Sequence, residues 1–203
     1  MRKELCINED WQFQYHDNTI LPVNLPHTWN NLDGQDGGND YWRGTCVYRK
    51  NFPLPAFGAE DCVYLDFAGV NASATVTLNG TQVCTHDGGY STFRCEITRL
   101  LKEINQLEVA VDNSKNDRVY PQKADFTFYG GIYRDVKLII VPKAHFDLDY
   151  LGSCGIRVTA TPDGSKATVR VESRTTGGQV QIALVDAAGK TVATGEGTDA
   201  TMT

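Results

Sequence analysis

At 203 residues, with 41% hydrophobic and 22% charged side chains, the chain is long enough for one full core and part of a second, which excludes disorder and a fibrous structure. A formal net charge of −6 and a pI near 5.2 leave no basic stripe to neutralise phosphates, so nucleic acid and anionic membrane are poor partners and a neutral ligand fits better. No apolar run approaches the ~18 residues of a membrane span, and Met1-Arg2-Lys3-Glu4-Leu5-Cys6 opens no signal-peptide core, so the protein is either cytoplasmic or has lost a leader.

Strand signals dominate in chain order. Leu25-Pro26-His27-Thr28-Trp29 reads as a turn in which His27 is held and Trp29 packs beneath it, in preference to a sugar-lining pair. The acidic run Asp33-Gly34-Gln35-Asp36-Gly37-Gly38-Asn39-Asp40 has oxygen ligands enough for calcium but not EF-hand spacing, so a solvated turn is expected and no metal site. Val63, Leu65 and Phe67 alternate with Tyr64, Asp66 and Ala68, predicting a strand with one apolar face. Ala74, Val76 and Leu78 alternate up to Asn79-Gly80, a dipeptide that accepts positive φ at both centres of a type I′ turn. Leu78 should therefore oppose Thr81, with the return strand running through Val83. His86-Asp87 completes a strand end. Ile97, Leu100, Leu101 and Ile104 recur at helical spacing and predict one or two turns of helix, and Leu107, Val109 and Val111 return to strand.

The segment Ala124–Val136, Ala-Asp-Phe-Thr-Phe-Tyr-Gly-Gly-Ile-Tyr-Arg-Asp-Val, carries most chemical information. Gly130-Gly131 permit backbone angles closed to other residues, and Ile132 to Val141 then read as a strand. Asp125 stands among Phe126, Phe128 and Tyr129, a mixture suited to sugar hydroxyls and to the apolar C–H faces of a pyranose. A plain core with a capping Asp would use the same residues. The loop Tyr120 to Tyr129 finds no partner in the chain for its tip, so mobility or an outside contact is expected. Arg134 and Asp135 lie on opposite faces of their strand and cannot form one ion pair, and Asp135 should face a neighbouring loop.

Composition changes near residues 142–146 and becomes small, Thr- and Gly-rich after Gly155. Ile156-Val158-Ala160, Ala167-Val169-Val171, Val180-Ile182-Leu184 and a strand through Val192, after a hairpin turn at Asp186 to Lys190, predict four strands. An immunoglobulin-like sandwich takes about seven, so this part is expected to be the truncated half of such a domain. Many strands, no βαβ rhythm and one short helix give an all-β chain: a jelly-roll β-sandwich followed by a partial immunoglobulin-like β-sandwich. The six cysteines lack any Cys-x-x-Cys pair, and free, mostly buried thiols are expected ahead of disulfides. Asn71-Ala72-Ser73 and Asn79-Gly80-Thr81 match the glycosylation sequon.

Residues 1–143 closely resemble the N-terminal sugar-binding domain of glycoside hydrolase family 2, which includes β-galactosidases, β-glucuronidases and β-mannosidases. The resemblance rests on Asp10-Trp11-Gln12-Phe13, Leu25-Pro26-His27-Thr28-Trp29-Asn30, Tyr41-Trp42-Arg43-Gly44, Tyr48-Arg49-Lys50, Leu65 to Val70, Leu78-Asn79-Gly80, Gly88 to Phe93, Val111-Asp112-Asn113 and Gly130 to Val136, in that order. It implies a galactose-binding-like jelly roll over 1–143, an immunoglobulin-like domain over 144–203, and a downstream (β/α)8 barrel of the same polypeptide that holds both catalytic glutamates. No catalytic residue is therefore placed in this chain, and no cofactor is expected. The implied work is that of the non-catalytic front part of a retaining exo-β-glycosidase, with Tyr133-Arg134-Asp135-Val136 leaning toward β-galactosidase and a β-glucuronidase or β-mannosidase parent as alternatives. Asp125, five residues before the Gly-Ile-aromatic-Arg-Asp-Val strand, matches an Asp that reaches into the barrel's active site in the β-galactosidase branch. The resemblance makes Asp125 the substrate-binding residue. The implied partners are a carbohydrate and the barrel, with self-association open; a free-standing carbohydrate-binding or adhesion module is the rival reading.

Overall fold

The computed structural model describes residues 1–31, 41–121 and 123–203. It is all-β and divides into two compact units, 1–140 and 141–203. The acidic run at 33–40 lies outside the described residues.

Strands of the first unit are β1 (Lys3–Cys6), β2 (Trp11–Gln14), β3 (Ile20–Val23), β4 (Thr45–Pro53), β5 (Asp61–Phe67), β6 (Ser73–Leu78), β7 (Thr81–Asp87), β8 (Phe93–Glu96), β9 (Ile104–Asp112) and β10 (Val136–Pro142), the last running on into the second unit. They form a six-stranded sheet, β3-β2-β4-β9-β6-β7, and a four-stranded sheet, β1-β10-β5-β8. Alternation dictates the sandwich. Every second residue turns inward, so Phe13, Tyr48, Val76 and Val109 from the larger sheet meet Leu65, Phe93 and Leu138 from the smaller in one core. Asn79 (φ 52) and Gly80 (φ 83) make the expected tight turn, with Leu78 opposite Thr81.

Three expectations need correction. β5 is buried on both faces, with Tyr64 and Asp66 as well as Val63, Leu65 and Phe67 out of solvent, and its Asp66 is neutralised by Arg94 directly opposite at 2.6 Å. The helical spacing at 97–104 yields only a 3₁₀ turn, Thr98–Leu100. Asn79 Nδ2 donates to Leu100 O (2.8 Å) and the Asn105 amide captures both Lys102 N (2.8 Å) and Lys102 O (2.9 Å), so the groups that would continue a helix are already engaged. The strand expected from Ile132 begins only at Val136. Ile132 O accepts from His27 N, Gly131 pairs with Asn71, and Asp135 O accepts from Ala68 N, so these residues serve separate segments instead of one ladder.

Cysteine pairing is a fourth correction. Cys84 on β7 and Cys95 on β8 form a disulfide that ties the edges of the two sheets together. The other four cysteines are thiols, of which only Cys46 is buried. Both sequon asparagines are structural: Asn71 is 6% exposed, and the Asn79 amide bonds to Leu100, Asn105 and Gln106.

The second unit has strands β11 (Ile156–Asp163), β12 (Lys166–Ser173), β13 (Gln181–Val185), β14 (Thr191–Glu196) and β15 (Asp199–Met202), in sheets β11-β12-β15 and β13-β14. β15 exceeds the four expected strands. Its sequence scarcely alternates, and it is held by pairing with β12 and by Asp199 bridging Arg170 at 2.6 and 2.9 Å. Asp186 caps the β13–β14 turn, accepting from Ala188 N and Lys190 N, both at 2.9 Å. Val171 and Met202 are buried, whereas Val158, Val185 and Val192 stand at least 60% exposed.

Candidate functional site

Asp125 lies in the long connection between β9 and β10, and the two ends of that connection are secured differently. At the upstream end Asn116 Oδ1 accepts from Arg118 N (2.9 Å) and Val119 N (3.0 Å), a local side-chain turn. Arg118 reaches Asp87 at the end of β7, 3.0 Å away, while Ser73 Oγ donates to the same carboxylate at 2.5 Å. These two hydrogen-bonding partners hold the Asp87 carboxyl below its ordinary range.

The downstream end is clamped by buried amides. Asn113 Nδ2 donates to Phe128 O at 2.8 Å, Asn71 Nδ2 to Tyr129 O at 2.6 Å, and Asn30 Oδ1 accepts from Gly130 N at 2.7 Å. Phe128 N donates to the Tyr41 hydroxyl at 3.0 Å, and the Arg43 guanidinium covers the Phe128 ring 4.7 Å from its centre. Both glycines are required, for different reasons. A Cβ on Gly130 would stand 2.0 Å from the Trp29 indole, and Gly131 sits at φ 137, where a Cβ would be 2.4 Å from His27 O. His27 is held as expected, its Nδ1 2.7 Å from the Tyr48 hydroxyl and its ring on Phe13, with burial lowering its pKa. Trp29 is 8% exposed beneath the loop.

Between these anchors the tip is open. Asp125 is exposed and makes no hydrogen bond or ion pair with a described residue. Phe126, whose ring packs 5.2 Å from that of Phe128, is 49% exposed, Tyr129 39% and Tyr120 83%, so the segment that carries this carboxylate acceptor also presents open aromatic surface. Chemically the tip can accept hydrogen bonds from hydroxyls and stack on C–H groups. The loop is thus anchored at its base, by these amides in addition to the glycine pair, and open at its tip. Asn30, Asn71, Asn113 and Tyr41 are the residues that sequence reasoning missed.

Asp135 faces a neighbouring segment, accepting from Asn8 Nδ2 at 2.8 Å, and Arg134 lies over the Tyr133 ring at 5.3 Å. Tyr133 donates to Gly89 O. The residues that leaned toward one branch are therefore engaged in holding the scaffold.

The family described as glycosyl hydrolase 2 galactose-binding domain-like matches residues 28–149. The fold superposes on the crystal structure of an FMN-binding β-glucuronidase from Facaelibacterium prausnitzii L2-6 with a TM-score of 0.91 and 40% identity, covering 99% of this chain and 33% of that one. A Bacteroides fragilis β-glucuronidase is 34% identical over 194 residues, 91% of this chain and 28% of its own length. A β-galactosidase from Thermoanaerobacterium thermosulfurigenes is 32% identical over 153 residues, 68% of this chain and 21% of its own. The chain thus spans no more than about a third of the proteins it matches here.

Proposed function

The chain belongs to the glycosyl hydrolase 2 galactose-binding domain-like family, and we propose on that premise that it is the non-catalytic front part of a retaining exo-β-glycosidase. Its work is to carry Asp125 to the terminal sugar bound in a downstream (β/α)8 barrel. Retaining hydrolysis takes two carboxylates about 5 Å apart, and the barrel would supply both. One observation carries the reading: Asp125 is left unengaged at the tip of a loop whose base is fixed by three buried amides. An ionised carboxylate that accepts from sugar hydroxyls contributes about 1.5–3 kcal/mol per bond. It also discriminates ring stereochemistry, because a misplaced hydroxyl leaves it unpaired.

Terminal β-glucuronides are the first substrate class, supported by β-glucuronidase relatives that cover more than nine tenths of the chain. Terminal β-galactosides are the second reading, favoured by the likeness to a β-galactosidase over 68% of the chain. On this proposal the second unit, 141–203, is part of an immunoglobulin-like sandwich that further strands complete, which accounts for the exposure of Val158, Val185 and Val192. A free-standing glycan-binding module is the rival reading. The cleft of about 550 Å³ lined by Gln12, Arg49, Asn51, Thr77, Gln106 and Glu108 has no aromatic platform for stacking sugars, so such a module would have to use the open rings of the loop that carries Asp125.

The test compares the full-length protein with its Asp125→Asn variant on p-nitrophenyl β-D-glucuronide and β-D-galactoside. The expected result is turnover by the full-length protein and a loss of kcat/KM of about 10- to 150-fold in the variant, while the 203-residue chain alone neither cleaves nor binds either sugar. Unaltered turnover by the variant sinks the role of Asp125, and micromolar sugar binding by the isolated chain restores the module.

A further inference from the structure

Three asparagines from three distant segments converge on consecutive backbone groups of one loop. Asn30 and Asn113 are fully buried and Asn71 is 6% exposed, so a bond lost by Asn30 or Asn113 leaves a polar group out of reach of bulk water. Asn113, immediately after β9, is the hub. Its Oδ1 accepts from Gly44 N at 2.9 Å, and both Nδ2 hydrogens are used, on Phe128 O at 2.8 Å and on Asn30 Oδ1 at 3.0 Å. Asn30 passes that order on, accepting from Gly130 N and donating to Trp42 O at 2.9 Å. Only a primary amide offers an acceptor and two donors in one plane.

We propose that Asn113, with Asn30 and Asn71, is a positioning residue for Asp125. This rests on the reading that Asp125 binds sugar. Asp125 lies three residues before Phe128, so an extended chain lets its Cα range no more than roughly 10 Å from the clamp. With the amides disengaged, Phe128 keeps only its bond to the Tyr41 hydroxyl and its ring under Arg43, and the next point held by other bonds is Gly130, whose O accepts from Thr28 Oγ1 and Trp29 N, which extends the range to roughly 17 Å. A carboxylate free over that distance spends little time where a hydroxyl needs it.

Asn113→Asp is the isosteric test, since it keeps the acceptor for Gly44 N and turns the donors for Phe128 O and Asn30 Oδ1 into repelling oxygens. Asn105→Asp is the control. Asn105 is equally buried, lies in β9, and donates to Phe52 O and Lys102 O, away from the loop. In the 203-residue chain, hydrogen exchange of amides 126–130 should accelerate at least tenfold in Asn113→Asp, with β4 amides as in the parent, and stay unaltered in Asn105→Asp. In the full-length protein, Asn113→Asp should lower kcat/KM mainly through KM. Combined with Asp125→Asn it should lower kcat/KM no further than Asp125→Asn alone. Unaltered loop exchange in Asn113→Asp, or equal acceleration in the control, overturns the positioning role whatever the kinetics. Accelerated exchange with additive kinetics overturns the link to Asp125. An inert Asp125→Asn overturns the sugar-binding reading instead, and with it the purpose of the clamp.

Discussion

Gly131 allows the clamp's energetics to be dissected. At φ 137 an L side chain is strained whatever the space around it, at about 1–3 kcal/mol. Its Cβ would also lie 2.4 Å from His27 O, 2.8 Å from the Tyr48 hydroxyl and 3.0 Å from Thr28 Cα. His27 cannot retreat freely, because its N donates to Ile132 O at 2.8 Å and its ring is tied to Tyr48. The strand-like pair between Gly131 and Asn71, at 3.0 and 3.2 Å, must then open. Two such bonds are worth about 1 kcal/mol each, so Gly131→Ala should cost about 3–5 kcal/mol in all. Two companion variants separate the causes. Gly80→Ala has positive φ with nothing within 4 Å and should cost only about 1 kcal/mol. Gly130→Ala lacks the conformational problem but meets the Trp29 indole at 2.0 Å, and should fall between the two. Urea unfolding followed by tryptophan fluorescence reports the first unit selectively, since Trp11, Trp29 and Trp42 all lie in it. A Gly131→Ala cost no larger than that of Gly80→Ala would refute the crowding argument.

Arg94→Ala should destabilise the first unit by about 3–5 kcal/mol, because it strands the Asp66 carboxylate, whose side chain is 11% exposed, without its partner; Asp66→Asn in the same background should restore part of the loss in urea midpoints. Burial lowers the pKa of both His27 and His86 below the ordinary 6.5, so the unfolded chain binds more protons just below that pH. Their stabilising share is therefore complete above about pH 6.5 and lost as pH falls through the folded values, and His27→Gln should flatten the midpoint-versus-pH curve over that window. Breaking Cys84–Cys95, which closes an 11-residue separation, should lower stability by about 2.5–3 kcal/mol on loop entropy, seen as a reductant-dependent urea midpoint. Exposed Cys6 and Cys154 should react quickly with a thiol reagent, while Cys46, buried and with its thiol pushed up to about 12, should react only on unfolding.

The strands of the sandwich were legible because their physics is local. Alternation at Val63-Leu65-Phe67 or Leu107-Val109-Val111 needs no partner to be seen, and the positive φ of Asn79-Gly80 follows from those two residues alone. The helical spacing at Ile97–Ile104 misled for the converse reason. The pattern is real, since Ile97 is buried and Leu100 and Leu101 pack on the core, but amides at Asn79 and Asn105 take the backbone groups of the turn. The strand at Ile132 failed likewise, its hydrogen bonds drawn to His27, Asn71 and Ala68. Cys84 and Cys95 gave no signal, because a spacing of 11 says nothing about sheet edges meeting.

Asparagine shows most clearly where legibility ends. Asn79 could be read from its neighbour, whereas Asn113 bonds across 83 residues to Asn30, and Asn30 across 100 to Gly130. Nothing in the neighbourhood of Asn71 separates a glycosylation acceptor from a buried amide holding Tyr129 O. The motifs Thr28-Trp29-Asn30 and Val111-Asp112-Asn113 were visible as resemblance, yet their role appears only when the loop is seen lying between them. Asp125 is the opposite case. It is exposed and makes no hydrogen bond or ion pair with a described residue, so its place relative to Gly131-Ile132 is what marks it out. A scaffold residue is thus identified by the bonds it makes. On the proposed reading, the carboxylate of Asp125 is marked instead by the bonds it leaves unmade above a backbone held as firmly as Phe128 to Gly131.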